Sequence, residues 1–169
     1  MNLLMSDRPL SVPLAQEDRY IDLSALAIEP CIGCFGCWIK TPGRCVLGDD
    51  AVQVYPVIGK SDHVVYVTKV KYGCYDTVMK TMLERSIPIQ QAFIRLAEGE
   101  THHVQRDVAP KQAVVIAYGT SSDEEQALFR RLVARNARNM NFEGHQVRFC
   151  DENAVEAAVV EEVAKWAKF

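Results

Sequence analysis

The sequence predicts an α/β layered fold in one domain over residues 1–169, and three observations lead there. Five short segments rich in β-branched or other apolar residues recur along the chain, and helical patterns lie between them. The strand candidates are also apolar almost without alternation, which belongs to strands covered on both faces, as in a parallel sheet. A length of 169 residues, 49% hydrophobic and 24% charged, suits one globular domain and argues against disorder.

The elements follow in order. Residues 2–6 (Asn-Leu-Leu-Met-Ser) read as a short buried strand and residues 20–23 as a second. Residues 50–59 form a helix candidate. Residues 63–68 (His-Val-Val-Tyr-Val-Thr) are a compact β-branched and aromatic run, and residues 75–85 a second helix candidate. Residues 113–118 (Ala-Val-Val-Ile-Ala-Tyr) make a fourth strand, ended by Gly119. Ser122 then opens a helix as the N-cap of a capping box closed by Glu125. Behind it Leu128, Leu132 and Val133 share a face, while Arg130, Arg131, Arg135 and Arg138 read as mainly solvated. Residues 146–150 are the fifth strand. The C-terminal helix carries Val155, Val159, Val163 and Trp166 as its apolar stripe, with Glu161, Glu162, Lys165 and Lys168 outside. Ligands of such sheets sit at the carboxyl ends of strands, here the residues after Ser6, Thr68 and Tyr118.

Composition excludes several function classes. Nineteen basic and 22 acidic residues are interleaved, for a formal net charge of −3, and leave no nucleic-acid footprint. No run of eighteen apolar residues offers a membrane span. The opening Met1–Met5 is too short for a signal peptide and acidic Asp7 follows, so a cytoplasmic protein is expected. Six cysteines then read as reduced thiols or metal ligands rather than disulfides.

Four of the six fall together. Cys31, Cys34 and Cys37 recur every third residue, Gly33 and Gly36 free the backbone to wrap, and Pro42-Gly43 turns the chain back toward Cys45. Four thiolates suit a cubane [4Fe–4S] cluster, whose ligation in ferredoxins has the same compact triple. Two further readings stand beside it. The thiols are free or structural, or they bind zinc, which more often uses two separated Cys-x2-Cys pairs. Cys74 and Cys150 stand apart and read as packed thiols.

The run Asp22-Leu23, then Ile28-Glu29-Pro30-Cys31-Ile32-Gly33-Cys34-Phe35-Gly36-Cys37, then Cys45 and Asp49-Asp50, resembles the flavodoxin-like NAD(P)H-dependent FMN reductases, most nearly their iron–sulfur flavoprotein branch. The resemblance implies a five-stranded parallel sheet with helices on both faces, non-covalent FMN at the strand ends, and homo-oligomers. It also implies electron flow from a nicotinamide dinucleotide or another donor through the flavin, and through a cluster held by Cys31, Cys34, Cys37 and Cys45. Loops after the third and fourth strands embrace the flavin ring in that family, which carries the role to Thr68, Lys69, Tyr72, Gly73, Tyr118, Gly119 and Thr120. Ser6, Arg8 and Ser11 keep a Ser-x-Arg-x-x-Ser skeleton of the phosphate loop. The stretch 76–85 resembles a helix that joins the family's oligomer interface, although core packing is the default explanation for its methionines.

The pattern departs at the same loop. Its glycine is gone, Asp7 brings a negative charge, and Pro9 and Pro13 each lack an amide donor. Residues 7–19 are also too few for the usual three-turn crossover helix with its connections. The first crossover helix is therefore expected to be missing, leaving one sheet face partly uncovered for a second copy or another flavodoxin-like chain. Two functions follow: a redox flavoprotein that grips FMN mainly by its ring, or a degenerate flavodoxin-like subunit without FMN that serves another redox protein. No general acid or base is nominated, because the cofactor does the chemistry in this class. His102 and His103, beside Glu98 and Glu100, read as an exposed connection before the fourth strand. His63 and His145 read as local hydrogen-bonding groups.

Overall fold

The structure is a computed structural model and describes every residue except Glu98, Ser121 and Phe169. In chain order its elements are β1 (Asn2–Ser6), β2 (Arg19–Asp22), α1 (Gly36–Ile39), α2 (Ala51–Lys60), β3 (His63–Lys71), β4 (Cys74–Tyr75), α3 (Thr77–Glu84), β5 (Gln90–Ala97), β6 (Glu100–Gln105), β7 (Lys111–Tyr118), α4 (Asp123–Asn139), β8 (Phe142–Cys150) and α5 (Val155–Val163). Strands β2, β1, β3, β7 and β8 pair in that spatial order, and every neighbour is parallel. The two-residue β4 folds back antiparallel on the end of β3, and β5 with β6 forms a separate hairpin.

All five sequence-predicted strands are present. Alternation sends their side chains to two cores, because successive residues of a strand face opposite sides. Leu3, Met5, Val64, Tyr66 and Val115 pack beneath α2, α3 and α4, against Ile58, Met82 and Phe129. Leu4, Val65, Val67 and Ile116 pack on the other face against Val155, Val159 and Trp166. Both faces are covered, so near-continuous apolar strands are what the arrangement requires.

No helix forms over residues 7–18. The crossover from β1 to β2 is an extended strap in which half-buried Leu10, Val12 and Leu14 alternate with exposed Pro9, Ser11 and Pro13. The three apolar side chains lie against the second core. The strap is pinned by the Tyr20 hydroxyl, which accepts from the Leu10 N–H (2.8 Å) and donates to the Arg8 carbonyl (3.3 Å). This corrects the expected uncovered face at the first strand. Strap and α5 together leave Leu4 with no exposure, as the helices of the first core do for Leu3 and Met5.

Other expectations shift in detail. The buried line of α4 is Phe129, Val133 and Ala137 at i, i+4 spacing, while Leu128 is exposed. The Ser122 cap is present, its hydroxyl accepting from the Glu125 N–H at 3.3 Å. Met79 and Met82 of α3 are wholly buried core residues. Glu162 is buried rather than outside, because Arg148 and Lys165 both reach its carboxylate. The Lys168 side chain and Glu98 lie outside what is described. His102 is buried rather than loop-exposed, because residues 100–105 are a strand tied to α4. Its Nδ1 lies 3.0 Å from Asn139 Oδ1, and Glu100 beside it receives Arg135 and Arg138 at 2.7 and 2.8 Å. Among the described residues no helix is long and apolar enough to cross a membrane.

Candidate functional site

The connection from β2 to α2 leaves the carboxyl edge of the sheet and carries the four clustered cysteines. Asp22 ends β2 by accepting the Ser24 N–H at 3.0 Å, which starts a single 3-10 turn over Leu23–Ala25. Within the motif the backbone enters the left-handed region at Gly33 (φ 64°) and again at Phe35 (φ 55°), and so coils on itself before α1 begins. At Gly43 (φ 85°) it turns back, with the Gly43 N–H donating to the Cys37 carbonyl at 2.9 Å. The Cys45 N–H then donates to the Tyr55 hydroxyl of α2 at 3.1 Å. Cys31, Cys34, Cys37 and Cys45 thereby line one cavity of about 50 Å³, walled by Trp38, Ile87 and Arg85. Burial pushes the Cys37 thiol up, and the neighbouring thiols of Cys45, Cys31 and Cys34 push the same way.

Arg85 closes this cavity from the end of α3 with only 1% of its side chain exposed. Nη1 and Nη2 reach the two oxygens of Asp49 at 2.6 and 2.7 Å, and Nη1 also donates to the Glu29 carbonyl at 2.5 Å. Nη2 lies 3.3 Å from Cys45 Sγ, and Nε is buried without a partner. The guanidinium thus offers positive charge and donors to the sulfur cavity. Among the described residues no three His, Cys, Asp or Glu groups stand close enough to hold a single metal ion. A lone zinc needs its thiolates about 3.8 Å apart, as its ~2.3 Å tetrahedral Zn–S bonds dictate. A cubane spreads its four thiolates over four irons and accepts a wider set. Four thiol donors on one cavity are the donor set of an iron–sulfur cluster, although among the described residues they form no metal-binding group as they stand.

The second group of predicted residues sits where β1, β3 and β7 end. Ser6, Thr68 and Tyr118 are buried there and converge on Asp7. Asp7 accepts from the Lys69 N–H (2.6 Å) and from the Tyr118 hydroxyl (2.9 Å), while burial raises its pKa against both bonds. The Arg8 guanidinium lies over the Tyr118 ring at 5.5 Å and 3.1 Å from Glu152, which Lys69 Nζ also approaches at 4.0 Å. The Ser11 N–H donates to Glu156 at 3.0 Å. Between β3 and β4, Tyr72 (φ 54°) projects with 93% of its surface exposed, and Gly73 donates its N–H to Glu125 at 3.1 Å. Thr120 donates to the same carboxylate at 2.5 Å, and Gly119 (φ 84°) turns the chain beside the Lys69 side chain.

Sequence reasoning missed the carboxylates that organise this edge. Asp7 reads as a liability but is a buried acceptor for two strand ends. Glu152 and Glu156 follow the last strand with no motif to mark them. Glu125 was visible only as a capping residue. The two ends of an FMN fare differently here. The Tyr72 ring is exposed next to the Gly73 turn, an aromatic face free to stack on a flat ring. The phosphate end does not fit, because Asp7, Glu152 and Glu156 take up its donors.

No family model matches the chain. A stretch of 77 residues is 29% identical to an iron–sulfur flavoprotein of Methanocaldococcus jannaschii, covering 46% of this chain and 39% of that protein. The matched part is thus about two-fifths of the relative's length. Solved structures match end to end. An FMN-dependent NADH-azoreductase from Bacillus anthracis, in complex with FMN, is 10% identical over 99% of this chain and 97% of its own, with a TM-score of 0.58. An NAD(P)H:quinone oxidoreductase from Methanothermobacter marburgensis is 11% identical over 98% and 96%, with a TM-score of 0.54. The fold is flavodoxin-like, and these structural neighbours are reductases.

Proposed function

We propose that the chain is a redox flavoprotein of the NAD(P)H-dependent FMN reductase type, with Cys31, Cys34, Cys37 and Cys45 holding a [4Fe–4S] cluster as a second electron carrier. The observation that carries the flavin reading is the carboxyl edge of the sheet. Its loops after β3 and β7 keep the turns and the exposed aromatic that an isoalloxazine needs, in a sheet matched end to end by flavin reductases. A bound flavin accepts a hydride and releases electrons singly, chemistry that the protein positions rather than performs. This chain's part is to present Tyr72 as a stacking face and to orient the ring between Gly73 and the Tyr118–Thr120 turn. Lys69 supplies positive charge beside that turn.

The cluster reading rests on four thiols sharing one cavity with a buried guanidinium. Cys37, whose thiol is pushed up by burial and by repulsion from neighbouring thiolates, would be relieved by a cationic iron core, and Arg85 would offset part of the thiolate charge that remains. A second copy of the chain is the partner this reading expects, and Phe93, Ile94 and Leu96 of the β5–β6 hairpin offer it an exposed apolar surface.

Purification without oxygen, followed by an ultraviolet–visible spectrum and assays for iron and sulfide, tests both cofactors. Flavin bands bleached by NADH or NADPH, with a broad absorbance that Cys37→Ser removes, are expected. A colourless protein that takes up neither flavin nor iron overturns the reading.

A further inference from the structure

A phosphate is held by unpaired backbone amides, a helix N-terminus and cations, and the loop after β1 offers neither of the first two and pairs its cation with a carboxylate. No helix follows that loop. The Asp7 N–H donates to the Val67 carbonyl (3.1 Å), extending the sheet by one bond. The Arg8 N–H donates to Ser6 Oγ (3.2 Å), the Leu10 N–H to the Tyr20 hydroxyl (2.8 Å) and the Ser11 N–H to Glu156 (3.0 Å). Pro9 has no N–H. Five consecutive positions therefore hold no free backbone donor.

The cations are likewise engaged. Glu152 lies 3.1 Å from the Arg8 guanidinium and 4.0 Å from Lys69 Nζ. With Asp7 and Glu156 it gives this corner three carboxylates. A phosphate entering here displaces protein hydrogen bonds and meets like charge at short range. Glu152 and Glu156 stand in for the phosphate itself; Glu152 comes from the turn before α5 and Glu156 from the first turn of α5, the helix that closes the second core.

We propose that this chain holds its flavin without recognising a phosphate, and so takes riboflavin at least as tightly as FMN. The inference rests on the flavin reading above and narrows it to a ligand class, the isoalloxazine with a neutral ribityl tail. The ring seat formed by Tyr72, Gly73 and the Tyr118–Thr120 turn supplies the affinity, and the filled corner removes the usual gain from the phosphate.

The test is fluorescence titration of the full chain with riboflavin and with FMN, each repeated on a Glu152→Gln/Glu156→Gln double variant. The unaltered chain is expected to bind riboflavin with a Kd equal to or below that of FMN. In the double variant Arg8, Lys69 and the Ser11 amide lose their charged partners, and FMN is expected to tighten about tenfold, the scale of one charge-assisted hydrogen bond, with riboflavin unchanged. Preference of the unaltered chain for FMN by more than about threefold overturns the inference while leaving the flavin reading intact. So does a double variant whose ratio of Kd values does not move. Binding of neither flavin by the unaltered chain overturns both, which separates the two failures.

Discussion

Replacing Arg85 with methionine removes a guanidinium that ties α3 to three points of the cysteine-bearing connection: the Glu29 carbonyl, Cys45 Sγ and both oxygens of Asp49. The Arg85 and Asp49 side chains are 1% and 13% exposed, so the pair is nearly dry. Removing one partner from such a pair costs about 3–5 kcal/mol, mostly because the remaining charge is left buried. Methionine refills the aliphatic volume, and Asp49 keeps the Glu29 N–H at 2.8 Å, which places the expected loss near about 3 kcal/mol. Urea unfolding at pH 7 followed by circular dichroism reads it directly. The pH dependence carries the sign. Arg85 holds Asp49 below its ordinary carboxylate range, so this stabilisation is present above an unfolded pKa of 3.8 and disappears as pH falls through the folded value. The gap between the two proteins is therefore expected to narrow in acid. Adding Asp49→Asn removes the stranded charge, so the double variant recovers about 2 kcal/mol relative to additivity. An Arg85→Met protein within about 1 kcal/mol of the original, or a strictly additive double variant, refutes the argument that this ion pair locks the connection.

Three further outcomes are expected. Burial holds the Lys111 ammonium down to about 8 from an ordinary 10.5, its Nζ donating to the Gly59 and Ala109 carbonyls. Between pH 8 and 10 the unfolded chain keeps a proton that the folded chain releases, so stability rises by about 2 kcal/mol before titrating tyrosines reverse it, and Lys111→Met flattens the rise in thermal scans. Gly73→Ala is expected to cost about 2 kcal/mol by urea unfolding, through a φ of +69° and a Cβ that meets Leu128 Cδ2 at 2.4 Å, and Leu128→Ala restores only the part due to overlap. Asp7→Asn is expected to fold within about 1 kcal/mol of the original and to gain on it as pH rises above 4, because burial raises the pKa of Asp7 and ionising it opposes folding.

The strands were legible because a parallel sheet covered on both faces needs apolar residues at nearly every position, and His63–Thr68 and Ala113–Tyr118 supply them. That Cys31, Cys34, Cys37 and Cys45 line one cavity was legible because they are close in sequence and share one loop. The β5–β6 hairpin was not. Its residues alternate charge, amide and apolar types with exposed Phe93, Ile94 and Leu96, so no buried face announces a period. Arg85 and Lys111 were equally hidden. Each is a charged residue buried by partners distant in the chain, Asp49 for one and the Gly59 carbonyl for the other. Local pattern carries no trace of such partners.

The missing crossover helix ties the covered face to the filled corner. A helix after β1 would shield the second core with its apolar side and aim free amides at a phosphate from its N-terminus. An extended strap of the same span can do only the first. Leu10, Val12 and Leu14 restore the apolar cover, but an extended backbone must find a partner for each N–H separately. Ser6, Tyr20 and Glu156 are those partners, and once they are engaged the loop has no backbone amide left with which to hold an anion. Covering the sheet with a strap and closing the phosphate seat are thus one structural event. Restoring FMN selectivity accordingly calls for freeing backbone donors as well as removing Glu152, and a Glu152→Gln change alone is expected to recover less FMN affinity than the double variant.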